Sequence, residues 1–260
     1  MEKLRLETKL DSYKFDAGEL SWYGEHFQFS DPVVNECPNL IASRYARACS
    51  HFGGHAEVRA AFKTQALPIW IRMLDKTSDW TINNGLKSLI TTALTFSLGG
   101  YNFILPDMIA GNGYHGVKPS EELYIRWVQA NVFLPSMQFS IPPWVYSEST
   151  VNLTKKFINL HIEYAETMVA LAKRTFNGEP LIRPMWYAAP EDSRAYTIAD
   201  QFMLGEDILV APVVDEGQRE RDVFFPTGNW IDQHGKIFSG PAVTKVAAPL
   251  EELPYFKRTH

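Results

Sequence analysis

Cysteine is scarce: only Cys37 and Cys49 occur in 260 residues. Two thiols cannot build a Cys-rich zinc site or a disulfide framework. They could form a single bond or stay as two buried thiols, and the sequence leaves both open. Long apolar runs are missing too. No stretch approaches the ~18 consecutive apolar residues of a transmembrane helix, and Met1 to Asp11 lacks the apolar run of a signal peptide. Positive charge is not in excess. Lys plus Arg total 25 against 30 Asp plus Glu, giving a net charge of −5. That balance argues against a nucleic-acid partner, whose binding surface is normally basic. There is no internal repeat and no low-complexity tract. The single N-glycosylation triplet, Asn152-Leu153-Thr154, is the number expected by chance in a chain of this length.

What remains is an ordinary globular composition, with 45% hydrophobic and 21% charged residues, which excludes global disorder. The length suits one large domain or two smaller ones. Aromatics make up 13% of the chain, which fits either a large core or a site that stacks on sugars or bases.

Short apolar runs alternate with helical patterns over the first two thirds. Ser12 to Phe15, Ile69 to Leu74, Tyr101 to Leu105, Pro135 to Phe139 and Leu181 to Tyr187 read as strands. Pro38 to Ser50, Ile82 to Leu98, Glu121 to Phe133 and Val151 to Phe176 read as helices, the second ended by Gly99-Gly100 and the last by Asn177-Gly178. Such alternation implies an α/β fold of parallel strands joined by crossover helices. Near residue 200 the pattern changes. Phe202 to Leu204, Ile208 to Val214, Asp222 to Phe225, Trp230 to Asp232 and Val243 to Ala247 are short strands between Gly-, Pro- and Asp-rich turns, which predicts a small β-sandwich. The division predicted is 1–195 for the α/β part and 196–260 for the sandwich.

In a parallel α/β barrel, catalytic groups sit at the C-terminal strand ends. Here three strands end in an acid: Asp16, Asp75 and Asp107. One such acid is usually a helix cap or a solvated turn. Three together predict a shared mouth, with two carboxylates facing each other at roughly 5 Å, as in a retaining glycosidase. Trp22, Trp80 and Trp144 could stack on sugars, although core packing is the better expectation for each. Glu19 could orient the nucleophile or simply form a salt bridge. Asp79 and Lys87 read as solvated surface charges, and Glu206-Asp207 as a turn. Gly53-Gly54 breaks the spacing of His51 and His55, so no metal is assigned, and no cofactor either.

The same residues carry a family resemblance that covers most of the chain, from about Asp11 to Tyr255. Tyr13-Lys14-Phe15-Asp16-Ala17-Gly18-Glu19 resembles the nucleophile segment of glycoside hydrolase family 31. Arg59, with Asp75 sixteen residues on and Trp80 five further, resembles that family's arginine and acid/base spacing. Gly100-Tyr101-Asn102-Phe103 through Asp107, Glu122 to Gln129, Arg183-Pro184, Asp200 to Gly205 and Ile208 to Val213 resemble its later strands, a helix and the passage to its C-terminal sandwich. The resemblance implies the roles. Asp16 is the nucleophile and Asp75 the acid/base. Arg59 and Asp107 contact the sugar, and Trp80 and Lys14 belong to the substrate-binding set. A cation two residues from Asp16 would favour its ionised form. Burial among Trp70, Met73 and Trp80 would raise the acid/base toward the working pH.

Two departures from the family's glucosidases bear on the sugar. Lys14 stands where they carry Trp, and Met137-Gln138-Phe139-Ser140 replaces a stretch that carries a sugar-binding His. A Lys-x-Asp segment is similar to that of α-galactosidases in other families, and an ammonium donates hydrogen bonds that an indole ring cannot. The expectation is therefore a retaining α-galactosidase acting on an oligosaccharide or glycoside. An α-glucosidase and an inactive carbohydrate-binding or scaffold fragment are the rivals. The other reading of Lys14 is a salt bridge to Asp16 or Glu19. The resemblance further implies an incomplete (β/α)8 TIM barrel, about the last five strand–helix units, followed by the sandwich. On that reading the first strands and any membrane anchor lie upstream, and open strand edges would leave this chain poorly soluble or inactive alone. The resemblance also implies the secretory pathway (endoplasmic reticulum or membrane-associated). A homo-oligomer is left open.

Overall fold

The computed structural model describes residues 1–24 and 27–259. Two compact units divide the chain: Met1–Leu74 with Phe103–Leu105, and Asp75–Asn102 with Pro106–His260. Among the described residues no helix is long and apolar enough to cross a membrane, and Cys37 and Cys49 are free thiols.

The first unit holds three helices, α1 (Glu2–Thr8), α2 (Pro32–Glu36) and α3 (Leu40–Ser50), and a parallel sheet. Pro32 opens α2 and the Asp31 carboxylate caps it by accepting the Val33 N–H at 2.9 Å. The strands β1 (Glu57–Val58), β2 (Trp70–Arg72) and β3 (Ile104–Leu105) pair in parallel in that order. The predicted strand at Ser12 to Phe15 contributes one parallel bridge, Lys14 to Glu57. Phe15 N–H donates to Glu57 O at 2.8 Å and Glu57 N–H to Tyr13 O at 3.0 Å. All four segments run the same way, so their C-terminal ends share one edge. Asp16 and Arg59 leave from that edge.

The second unit carries the remaining helices. α4 (Leu86–Leu98) begins later than its apolar pattern suggests. Asp79 explains the delay: its carboxylate accepts the Thr81 N–H at 2.8 Å and the Thr81 hydroxyl at 2.6 Å, holding residues 79–81 in a turn. Gly85 then passes so close that a Cβ would sit 2.1 Å from Asp79 Oδ1. Asp79 is thus a turn anchor rather than a solvated surface acid. α5 (Glu121–Asn131) is capped by the Ser120 hydroxyl. The single long helix predicted from Val151 to Phe176 is two, α6 (Glu148–Glu163) and α7 (Ala165–Arg174), broken at Tyr164. The Tyr164 ring is buried against Phe133 and Tyr255, with centroids 4.9 and 6.0 Å away, and this packing outweighs helical continuity. Pro135 to Phe139 supplies only one bridge, Gln138 to Met108.

The C-terminal sheet has six antiparallel strands in the order β4 (Ile182–Pro184), β5 (Phe202–Leu204), β6 (Ile208–Val210), β9 (Tyr255–Thr259), β7 (Glu220–Ile231) and β8 (Ile237–Ala247). β4 pairs antiparallel with β5, not with a parallel neighbour, and it ends in the short helix α8 (Met185–Ala188). Two predicted strands merge into β7, because a register shift between Phe225 and Gly228 takes up Pro226 without ending the ladder. Opposite it, a Cβ on Gly240 would lie 2.0 Å from Pro226 O. Phe225, Phe238, Phe256 and Trp230 fill the core beneath.

Arg126 ties α5 to this sheet. Its side chain is fully buried, and its guanidinium donates to the carbonyls of Gln218 (2.8 Å), Ala248 (2.7 Å) and Pro249 (3.3 Å) and to Gln129 Oε1 (2.9 Å). Burial pulls its pKa down to about 10, with Arg219 adding to the effect against Glu122 and Glu251. Replacing it leaves buried carbonyls without a donor. Arg126→Met is expected to lower unfolding free energy by about 3 kcal/mol, read as a lower urea midpoint with an unchanged slope.

Candidate active site

Asp16 follows the Lys14 bridge, in a turn that glycine makes possible. Ala17 (φ 60°) and Gly18 (φ 92°) are left-handed, and a Cβ on Gly18 would lie 2.5 Å from the Tyr45 ring. The Tyr45 hydroxyl donates to the Asp16 carbonyl at 2.5 Å. The turn therefore packs on Tyr45 and presents the Asp16 carboxylate, whose side chain is 60% exposed.

That carboxylate is held by one oxygen. Oδ1 accepts the Ala17 N–H at 3.0 Å and Arg72 Nη2 at 3.1 Å, with Arg59 Nη1 at 3.4 Å. Among the described residues, Oδ2 takes none of these contacts. Partial burial pushes the carboxyl pKa up, but the Ala17 N–H and the charges of Arg59, Arg72 and Lys14, in that order, outweigh it and leave it below the ordinary value. The cation nearest in sequence, Lys14, acts least of the three.

Both arginines are themselves anchored by acids. Arg59 Nε pairs with Glu19, whose other oxygen accepts Trp22 Nε1 at 2.7 Å. Arg72, only 3% exposed, pairs through Nε with Glu57 at 2.9 Å. The result is an alternating row: Glu19, Arg59, Asp16, Arg72, Glu57. Glu19 is thus a salt-bridge partner of Arg59. Lys14 forms no ion pair among the described residues, so the predicted alternative of a salt bridge to Asp16 or Glu19 does not hold. Arg72 and Glu57 escape sequence reasoning because they lie within short apolar strands; the available signal was a lone cation in the run Trp70-Ile71-Arg72-Met73.

The second unit carries Asp75, Trp80 and Asp107. Asp75 is half-buried; its carboxylate accepts the Tyr114 hydroxyl, and its carbonyl accepts Asn84 Nδ2 at 2.7 Å. Asp107 is fully buried and left-handed at φ 68°. Its Oδ2 accepts the Lys76 N–H and Asn112 Nδ2, both at 2.7 Å. Lys76 is buried as well; its Nζ donates to Ser88 Oγ at 2.8 Å, and burial lowers its pKa against the pull of Asp107. Asp107 therefore organises the segment that follows Asp75.

Other expectations fall out variously. Trp80 is half-buried, whereas Trp22 and Trp144 are 67% and 75% exposed and are not core residues. Lys87 is not a free surface charge but pairs with Asp215 at 2.5 Å. Glu206-Asp207 forms the turn joining β5 to β6. The triplet at Asn152 lies inside α6, with Thr154 buried and its hydroxyl on Thr150 O.

Arg72→Met should raise the Asp16 midpoint toward 3.8, seen by carbon-detected titration of the side-chain carboxyls. The same change strands Glu57, so stability at neutral pH should fall by about 3 kcal/mol in chemical denaturation.

Comparison with known proteins bears on the fold and the family. Residues 64–170 match the TIM-barrel domain of glycosyl hydrolases family 31, and residues 178–260 match the family 31 C-terminal domain. The chain is 39% identical to the myogenesis-regulating glycosidase of Mus musculus, covering 98% of this chain and 37% of that protein. It is 38% identical to the SITS-binding protein of Tetronarce californica, over 78% of this chain and 30% of that one. It thus spans about a third of the length of these relatives. In fold, it superposes with a TM-score of 0.86 on a Flavobacterium johnsoniae family 31 dextranase complexed with glucose, at 22% identity, over 99% of this chain and 35% of that one. The fold class is therefore the one expected, barrel units followed by a C-terminal β domain, and the chain belongs to glycoside hydrolase family 31.

Proposed function

We propose that this chain carries the catalytic carboxylates of a retaining α-glycosidase acting on terminal α-galactosides. The observation that carries the reading is the one-sided anchoring of Asp16. A nucleophile must stay ionised and keep one oxygen available, and Asp16 does both.

In the first step, Asp16 Oδ2 attacks the anomeric carbon while the bond to the aglycone oxygen breaks. Asp75 gives its proton to that oxygen. In the second step, ionised Asp75 takes a proton from water, the water oxygen bonds to the anomeric carbon, and the Asp16 ester bond breaks. Arg59 binds the sugar while its Nε remains on Glu19. Asp107 acts on the sugar, and on the segment after Asp75 through the Lys76 N–H and Asn112. Trp80 contributes an apolar face.

The galactoside preference rests on Lys14. Its side chain is exposed, and its charge acts on Asp16 less than those of Arg59 and Arg72, so its donors can serve a sugar hydroxyl. An α-glucosidase is the nearest rival. A sugar-binding protein without turnover is the other, favoured by the burial of Asp107 among internal donors.

With an aryl α-galactoside, Asp16→Asn is expected to lower kcat by about a thousandfold or more. Asp75→Asn should slow glycosides with poor leaving groups most. Equal rates for wild type and Asp16→Asn would remove Asp16 from the mechanism, and galactose binding without turnover would favour the binding protein. Lys14→Met should cost about tenfold or more in kcat/KM for the galactoside and much less for the matching glucoside. The opposite ranking would favour the glucosidase.

A further inference from the structure

The loop from Asp107 to Gly116 is built around a residue with no assigned part in the chemistry. Its backbone is left-handed at Asp107, Ala110, Gly111, Gly113, His115 and Gly116. Left-handed non-glycine residues persist only where the surroundings hold them. Here the loop is stitched to the segment that follows Asp75. Asn112 N–H donates to Lys76 O at 3.0 Å, and Asn112 Nδ2 reaches both Lys76 O and Asp107. Gly113 N–H donates to Ser78 Oγ at 2.9 Å. At Gly111 a Cβ would lie 2.7 Å from the Thr77 carbonyl. These anchors set the height and direction of the short 3₁₀ turn Tyr114–Gly116. The side chain they deliver is Tyr114, whose hydroxyl donates to Asp75 Oδ2.

We propose that Tyr114 is a positioning residue for Asp75, fixing the rotation of its carboxylate and stabilising its ionised form through a charge-assisted hydrogen bond. The proposal rests on the reading of Asp75 as the acid/base. An acid/base must give up a proton in one step and take one back in the next. A hydrogen bond donated to the charged form favours that form. The phenol thus opposes any upward push from burial and keeps both protonation states within reach of one pH. Being neutral, it does so without adding a fixed charge beside the departing aglycone. Tyr114 is 47% exposed, so removing its hydroxyl leaves no buried hole, and the backbone anchors at Asn112 and Gly113 remain.

The test is a carbon-detected titration of the aspartate carboxyls in the 260-residue chain. The Asp75 resonance is identified by its loss in Asp75→Asn. In Tyr114→Phe its midpoint is expected to rise by about half a pH unit or more. Tyr146→Phe, which loses a hydroxyl that donates to Pro119 O instead, should leave it in place. If Tyr114→Phe fails to fold, as judged by its amide spectrum, Tyr114→Leu serves the same purpose and should show the same rise. In turnover, the basic limb of the pH–rate profile should move upward by the same amount, with kcat changing and KM holding. A midpoint that does not move overturns the proposal. That failure is separable from failure of the acid/base reading, which would show as retained turnover of a poor-leaving-group glycoside in Asp75→Asn.

Discussion

The first unit depends on two guanidinium groups sharing one carboxylate oxygen. Arg59 and Arg72 both approach Asp16 Oδ1, and neither could be held there cheaply without its own counter-charge. Arg72 is almost wholly buried, and an unpaired charge at that depth is strongly unfavourable. Glu57 supplies the balance from β1, and Glu19 does so for Arg59 from the far side of the Asp16 turn. The parallel register makes this possible: Glu57 lies beside Lys14 on one flank and beside Trp70 on the other. A one-residue slip would turn Glu57 to the opposite face of the sheet and undo the row. Sheet pairing and the charge state of Asp16 are therefore one constraint seen at two scales.

The second unit solves a different problem. Asp107 and Lys76 are charged groups placed away from water, and Asp107 and the half-buried Asn112 are used to fix backbone. Asp107 receives one main-chain and one side-chain donor. In doing so it holds the residues after Asp75 against the loop that carries Tyr114. Farther along, Arg126 works on the same principle, with a cation surrounded by carbonyl oxygens in place of a carboxylate. In both places a buried charge specifies where loops of irregular backbone must lie, which apolar packing alone defines poorly.

Much of this was legible in the sequence, and the failures have physical causes. Acids at the ends of short apolar runs marked Asp16, Asp75 and Asp107, because strand ends are where an α/β chain leaves its sheet. The helices at Leu40, Leu86 and Glu121 followed from their apolar spacing. Arg72 was hidden because a strand buried on both faces has no polar alternation against which a cation stands out. Tyr114 was hidden because a loop of left-handed residues has no period at all. The break at Tyr164 and the continuity of β7 across Pro226 depend on contacts far away in sequence, Phe133 and Tyr255 in one case and Gly240 in the other. Local pattern does not contain them.

The asymmetry of the Asp16 carboxylate bears on the later half of the proposed double displacement. If Oδ2 forms the ester, the oxygen left as its carbonyl is Oδ1, already surrounded by the Ala17 N–H, Arg72 and Arg59. When the sugar departs, negative charge returns to an aspartate whose solvation shell is in place beforehand. On the proposed mechanism, the groups that keep Asp16 ionised would also make it a good leaving group, and the glycosyl ester would be short-lived.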